Sequence, residues 1–161
     1  MGIPNEIYLD TNIVYKLFDK FAEAVKNGKD LTHIELPAVI KFLREVKDKH
    51  RYFVSIITRA EIFRHLHSAQ KLSKEECYVV WDFFLGFLQV TEILVKEVDF
   101  VEISDALAQK PARKTTIINL QHLWVAKKDN LTMLTGDKPL KERFKVFYDR
   151  VIDYIEFQQM H

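Results

Sequence analysis

Hydrophobic residues in this chain gather into short unbroken runs, and an acid closes two of them. Ile7, Tyr8 and Leu9 lead directly into Asp10, Thr11 and Asn12, after which Ile13, Val14 and Leu17 recur at helical spacing. That change of period predicts a buried strand over "IYLD", then a helix from about Asn12 with Asn12 as its N-cap. "KNGKDLTHIELP" (26–37) reads as a loop, and Pro37 suits the start of a second helix reaching about Lys49. "YFVSII" (52–57) predicts a second strand, with Thr58 capping a helix that runs to about Gln70. In "LSKEE" Ser73 precedes Glu76 by three residues, a capping box that opens the helix containing Trp81. "TEILVKEV" predicts a third strand, and helical residues follow to about Ala108. Beyond the basic loop "QKPARKTT" come a helix over about 117–128 and a fourth strand, "LTMLTGD", ending in Asp137. A short helix after Pro139 and a last strand in "RVIDYIEF" complete the series.

Strands thus alternate with helices, and the early strands are apolar on both sides. This pattern predicts an α/β fold with a parallel sheet covered on both faces. In such sheets ligands sit outside the carboxyl ends of the strands. A length of 161 residues, without repeat or linker, predicts one domain over 1–161.

Composition narrows the function classes only a little. At 48% hydrophobic residues the chain can build a sizeable core, and a net charge of +1 leaves any basic surface local. The single cysteine, Cys77, has no internal disulfide partner and reads as a small buried apolar residue. With no signal peptide visible at Met1, the expectation is a reducing cytoplasm. The longest apolar stretch, "YVVWDFFLGFLQV" (78–90), is too short to span a bilayer and carries Asp82, so no membrane partner is expected.

Three acids occupy comparable places. Asp10 ends the first strand, Asp137 ends the fourth, and Glu61 lies one helical turn past the second in "VSIITRAEI". Neighbouring parallel strands are about 5 Å apart, so carboxylates gathered there repel unless cations neutralise them. Hard divalent cations take oxygen ligands, and Mg²⁺ is held by few carboxylates plus waters and phosphates. Each acid alone has an ordinary reading as a helix cap, a solvated helix residue or a turn residue; their conjunction points to a metal site.

That conjunction resembles the PIN-domain nucleases, VapC-type toxins in particular. "IYLDTNIVYKLF", "VSIITRAEI" and "LTMLTGDKPLKERF" match well and "INLQHLWVA" in part, spread over most of the chain in family order. The resemblance implies a three-layer α/β/α sandwich with a five-stranded parallel sheet. It implies Mg²⁺- or Mn²⁺-dependent hydrolysis of single-stranded RNA, and an antitoxin as protein partner. Asp10, Glu61 and Asp137 stand at three of the four acidic positions and would hold metal. The fourth falls on Asn119, which offers a carbonyl oxygen but no charge. The site is then either a nuclease with weaker metal binding or a catalytically degenerate module that binds RNA or protein.

Other side chains follow from that reading. Thr11, Thr58 and Thr135 would orient carboxylates or waters, or act as caps and turn residues. Lys110, Arg113 and Lys114 before the Asn119 helix, Arg59 beside Glu61, and Lys138 after Asp137 would guide an RNA backbone. Among these, Thr11, Arg59, Arg113, Lys114 and Lys138 are the substrate-binding candidates. His122 lies one turn after Asn119 on the same helix face and reads as a half-buried helix histidine, with a contact to metal or scissile phosphate as the alternative; His65 and His67 read as solvated. Leu120, Leu123, Val125 and Trp124 read as core. The Trp81 helix offers apolar surface for a homodimer or an antitoxin helix, and plain core packing explains it equally. A phosphoryl-transfer domain is disfavoured: one acid rather than two follows the first strand, Asn12 breaks an Asp-x-Asp, and no Gly-rich loop occurs.

Overall fold

The computed structural model describes residues 2–108 and 116–161. Five parallel strands form one sheet: β1 (Glu6–Leu9), β2 (Arg51–Ser55), β3 (Val90–Ile93), β4 (Thr132–Thr135) and β5 (Val151–Asp153), in the order β3-β2-β1-β4-β5. The helices are α1 (Thr11–Lys26), α2 (Ala38–Glu45), α3 (Ile56–Ser68), α4 (Lys74–Phe87), α5 (Phe100–Ala108), α6 (Thr116–Lys128), α7 (Lys138–Arg143) and α8 (Tyr154–Gln159).

Alternate strand residues point to opposite faces, and each face has its own core. Ile7, Leu9, Val54, Leu134 and Ile152 join Phe18, Phe21, Trp81 and Phe84 beneath α1 to α4 and α8. Tyr8, Met133 and Val151 join Leu120, Leu123, Leu140 and Phe144 beneath α5 to α7. Two helical layers thus enclose the sheet, the α/β/α arrangement. Among the described residues no helix is long and apolar enough to cross a membrane.

Local chemistry corrects several boundaries. Helix α1 begins at Thr11, with Asp10 rather than Asn12 at the N-cap position. Ser55, not Thr58, caps α3: its hydroxyl accepts from Ile57 N–H at 3.2 Å, while Thr58 Oγ1 accepts from Ser55 N–H at 3.4 Å. Helix α2 stops at Glu45, and residues 47–49 form a separate 3₁₀ turn. "RVIDYIEF" is only half strand, because Asp153 and Glu156 form a capping box that opens α8. The capping box at Ser73 and Glu76 stands as expected. Cys77 is buried, as are Leu120, Leu123 and Val125, and Trp124 is half-buried. On α4 the face carrying Val80, Trp81 and Phe84 is buried, whereas Tyr78 and Val79 are exposed.

The sheet order reverses direction at β1. The chain passes from β1 to β2 on one side, and later to β4 on the other. Such switch points open a crevice at the carboxyl ends of the strands. The register sets Leu9 beside Leu134, which brings the residues after β1 and β4 together.

Candidate active site

Asp10 leaves β1 at that crevice. Its backbone N–H donates to Leu134 carbonyl at 3.0 Å, and its carboxylate accepts from the Thr135 hydroxyl at 2.7 Å. The side chain is almost completely buried, with 4% of the residue exposed. Burial pushes its carboxyl up from the ordinary aspartate value, and the charge of Glu61 adds to the rise. Such a group gains from a cation at its open side.

Glu61 reaches the same place from α3. Its Oε1 accepts from the Thr11 hydroxyl at 2.7 Å and from His122 Nε2 at 2.5 Å. Burial works to raise this carboxyl, but the hydrogen bonds from His122 and Thr11 outweigh it and hold Glu61 below the usual glutamate range. The two acids therefore sit one residue apart through Thr11 yet are tuned in opposite directions.

A cleft of about 320 Å³ is lined by Asp10, Thr11, Tyr15, Lys16, Glu61 and Asn119. Asn119, from the first half of α6, lines the same cleft as the two carboxylates. Asp137 does not line the cleft. It is half-buried at the N-cap of α7, and its backbone N–H donates to Thr135 Oγ1 at 3.0 Å. Among the described residues no group of three His, Cys, Asp or Glu side chains is gathered closely enough to hold a metal ion. What converges is two carboxylates and one amide, and Asp137 joins them only by its backbone N–H on the Thr135 hydroxyl.

The turn after β4 is fixed from α1. Asn12 Oδ1 accepts from Gly136 N–H at 2.9 Å, and its Nδ2 donates to Thr135 Oγ1 at 3.4 Å. A Cβ at Gly136 would lie 3.3 Å from Asn12 Oδ1, so a larger residue there would push the amide by a few tenths of an ångström. Asn12, expected to cap its own helix, instead staples two strand ends together.

The cations fare unevenly. Arg59 does not line the cleft; it pairs with Glu92 on β3 at 3.2 Å, beside the Trp81 indole that donates to the same carboxylate. Lys138 is exposed at the start of α7. Lys110, Arg113 and Lys114 lie outside the described residues. The Thr11 hydroxyl is engaged by Glu61. Lys16, one turn past Asn12 on α1, is exposed and lines the cleft, although no motif singled it out.

No protein-family model matches this sequence, and no curated protein shows significant similarity to it. The site must therefore be read from its own geometry.

Two histidines differ from expectation. His122 is fully buried, with Nδ1 2.5 Å from Tyr8 Oη and Nε2 on Glu61. His65 is not solvated either: Tyr15 Oη lies 2.5 Å from its Nδ1 and Asp19 Oδ1 lies 2.5 Å from its Nε2. His67 is exposed, and its Nδ1 donates to Leu72 carbonyl at 2.9 Å. Their chemistry was invisible in the sequence because each partner comes from a different element.

Proposed function

We propose that this protein is a Mg²⁺- or Mn²⁺-dependent endoribonuclease acting on single-stranded RNA, as the resemblance to PIN-domain nucleases implies. The observation that carries the reading is Asp10: a carboxylate buried at a sheet switch point, raised by burial, and facing a second carboxylate across an open cleft. Asp10 and Glu61 would hold the cation, with the Asn119 carbonyl oxygen as a further ligand. Hard cations accept such an all-oxygen set. When bound, that ion would supply charge that activates water and neutralises the leaving oxygen.

The remaining roles belong to the chain. Thr135 holds the Asp10 carboxylate and, through the Asp137 N–H, the turn that carries the third acid. Thr11 and His122 hold Glu61. Lys16 offers a phosphate contact at the cleft, and Lys138 offers another beyond it. Restraint by an antitoxin follows from the same resemblance, and a cytoplasmic setting from the lone cysteine.

One observation favours a second reading. Among the described residues only two carboxylates line the cleft, and Asn119 stands where a further negative charge would strengthen cation binding. A module that retains the fold and binds RNA or protein without cutting it fits that deficit.

Incubation with single-stranded RNA separates the two. Cleavage should require Mg²⁺ or Mn²⁺, stop with chelator, and vanish in Asp10→Asn. Intact RNA in the presence of folded protein and either ion would exclude the nuclease reading.

A further inference from the structure

The buried face of the site contains a hydrogen-bonded chain that crosses the sheet. Ile57 N–H donates to Ser55 Oγ at 3.2 Å. Ser55 Oγ lies 2.8 Å from Tyr8 Oη, and Tyr8 Oη lies 2.5 Å from His122 Nδ1. Nε2 of the same ring lies 2.5 Å from Glu61 Oε1. Ser55, Tyr8 and His122 are each at most 1% exposed, so water does not share the bonds among them, whereas the Glu61 end of the chain is half-buried.

A carboxylate only accepts, so the ring nitrogen that faces Glu61 carries a hydrogen: Nε2–H donates to Oε1. The Tyr8 hydroxyl, itself bonded to Ser55 Oγ, holds the opposite side of the same ring at Nδ1. Burial pushes the Tyr8 phenol up from its ordinary value, which keeps its hydrogen in place.

We infer that His122 is a positioning residue that fixes the Glu61 carboxylate for cation binding, with Tyr8 and Ser55 steadying its ring from the Nδ1 side. The inference rests on the proposed nuclease reading for the cation, but the bond from Nε2–H to Glu61 does not. Both the Thr11 hydroxyl and His122 bond Oε1 of Glu61. Oε2 takes neither bond. The carboxylate is thereby held by one oxygen, and the other is presented to a ligand. This matters more here than where a third carboxylate lines the pocket: with Asn119 uncharged, the placement of Glu61 decides whether a cation is retained. Hydrogen bonds of this kind behind a ligating side chain typically govern metal affinity as well as geometry.

Two measurements on the full chain test this. Long-range ¹H–¹⁵N correlation spectra of the histidine rings in metal-free protein should show His122 with hydrogen on Nε2, in the parent and in Tyr8→Phe alike. A bare Nε2 in the parent would overturn the assignment. Titration with Mn²⁺ alone should then show affinity reduced about 10–100-fold in His122→Leu. His122→Gln, whose amide places a donor near the Nε2 position, should restore most of it. Tyr8→Phe, which keeps the shape of the core, should fall between and covers the case in which His122→Leu fails to fold. Equal Mn²⁺ affinity in the parent, Tyr8→Phe and His122→Leu overturns the positioning role while leaving the nuclease reading standing. No Mn²⁺ binding by the folded parent overturns that reading, and the positioning role with it.

Discussion

The Thr135 hydroxyl donates to the Asp10 carboxylate at 2.7 Å across the β1–β4 junction. The same oxygen accepts from Asp137 N–H at 3.0 Å and from Asn12 Nδ2 at 3.4 Å. One buried hydroxyl therefore couples two strand ends and the start of two helices. Thr135→Val keeps the shape but leaves the Asp10 carboxylate and the Asp137 N–H short of a partner. A loss of about 1–3 kcal/mol is expected from urea denaturation. Thr135→Ser should lose far less, and RNA cleavage should follow the hydroxyl rather than the methyl group.

Asp10 should destabilise the fold at neutral pH. Burial raises its carboxyl, so the folded state keeps this proton to higher pH than the unfolded chain does. Stability from this group is thus greatest at low pH, and falls as pH rises from the ordinary aspartate range through the raised folded value. Asp10→Asn escapes that cost. In chelator it should melt above the parent at pH 7, and the gap should close as pH is lowered toward the ordinary aspartate range. A lower melting temperature for Asp10→Asn at pH 7 would contradict the burial argument.

Glu61 should behave in the opposite sense. Its folded value is lowered despite burial, by the hydrogen bonds from His122 and Thr11. Its contribution is present above the ordinary glutamate range and is lost as pH falls through the lowered folded value. Glu61→Gln retains acceptor shape but exchanges charge-assisted bonds for neutral ones, at a cost of about 1 kcal/mol at pH 7. The difference from the parent should shrink in acid. Thermal melts of the two variants between pH 3 and 7 (a range set by the model carboxyl values of roughly 4) would show whether the slopes diverge.

How far the site was legible in sequence depended on how local each determinant was. An acid at the end of an apolar run is a local pattern; it marks Asp10 in the cleft but equally Asp137, which does not line it, while Glu61 stands out by its place one helical turn past the second strand. Asn12 defeated the same logic: asparagine is a good N-cap, but this one bonds Gly136, 124 positions away. Asp153 and Glu156 carry a readable capping signal, but the apolar run around them reads as one strand where the chain turns into α8. His122 could not be placed at all without knowing that Tyr8 faces α6 and that Glu61 reaches it from α3. Parallel strand order, which decides all of these meetings, leaves no trace at short sequence range.

Asn119→Asp decides between an enzyme and a degenerate module. The new carboxylate would enter a cleft that already holds Asp10 and Glu61. In the absence of a cation the added repulsion should lower the melting temperature. With Mn²⁺ the order should reverse, affinity rising roughly tenfold because cation sites are tuned by the count of charged ligands. If the parent is silent toward RNA and Asn119→Asp cuts it, the protein as it stands is the degenerate module. Cleavage by both, faster in the variant, supports the enzyme.

Lys16 gives the substrate side of the site its sharpest test. It is exposed on α1, lines the cleft beside Asp10 and Glu61, and makes no contribution to either core. A lysine that contacts a phosphate releases a condensed counterion on binding. Lys16→Ala should weaken binding of single-stranded RNA to catalytically inert Asp10→Asn protein, with little dependence on base sequence. The slope of log K against log salt should become shallower by about 0.7, the value expected for one lost single-strand contact. Fluorescence anisotropy at four salt concentrations would measure it. An unchanged slope would remove Lys16 from the RNA path, whereas a sequence-dependent loss would mean that it reads a base instead.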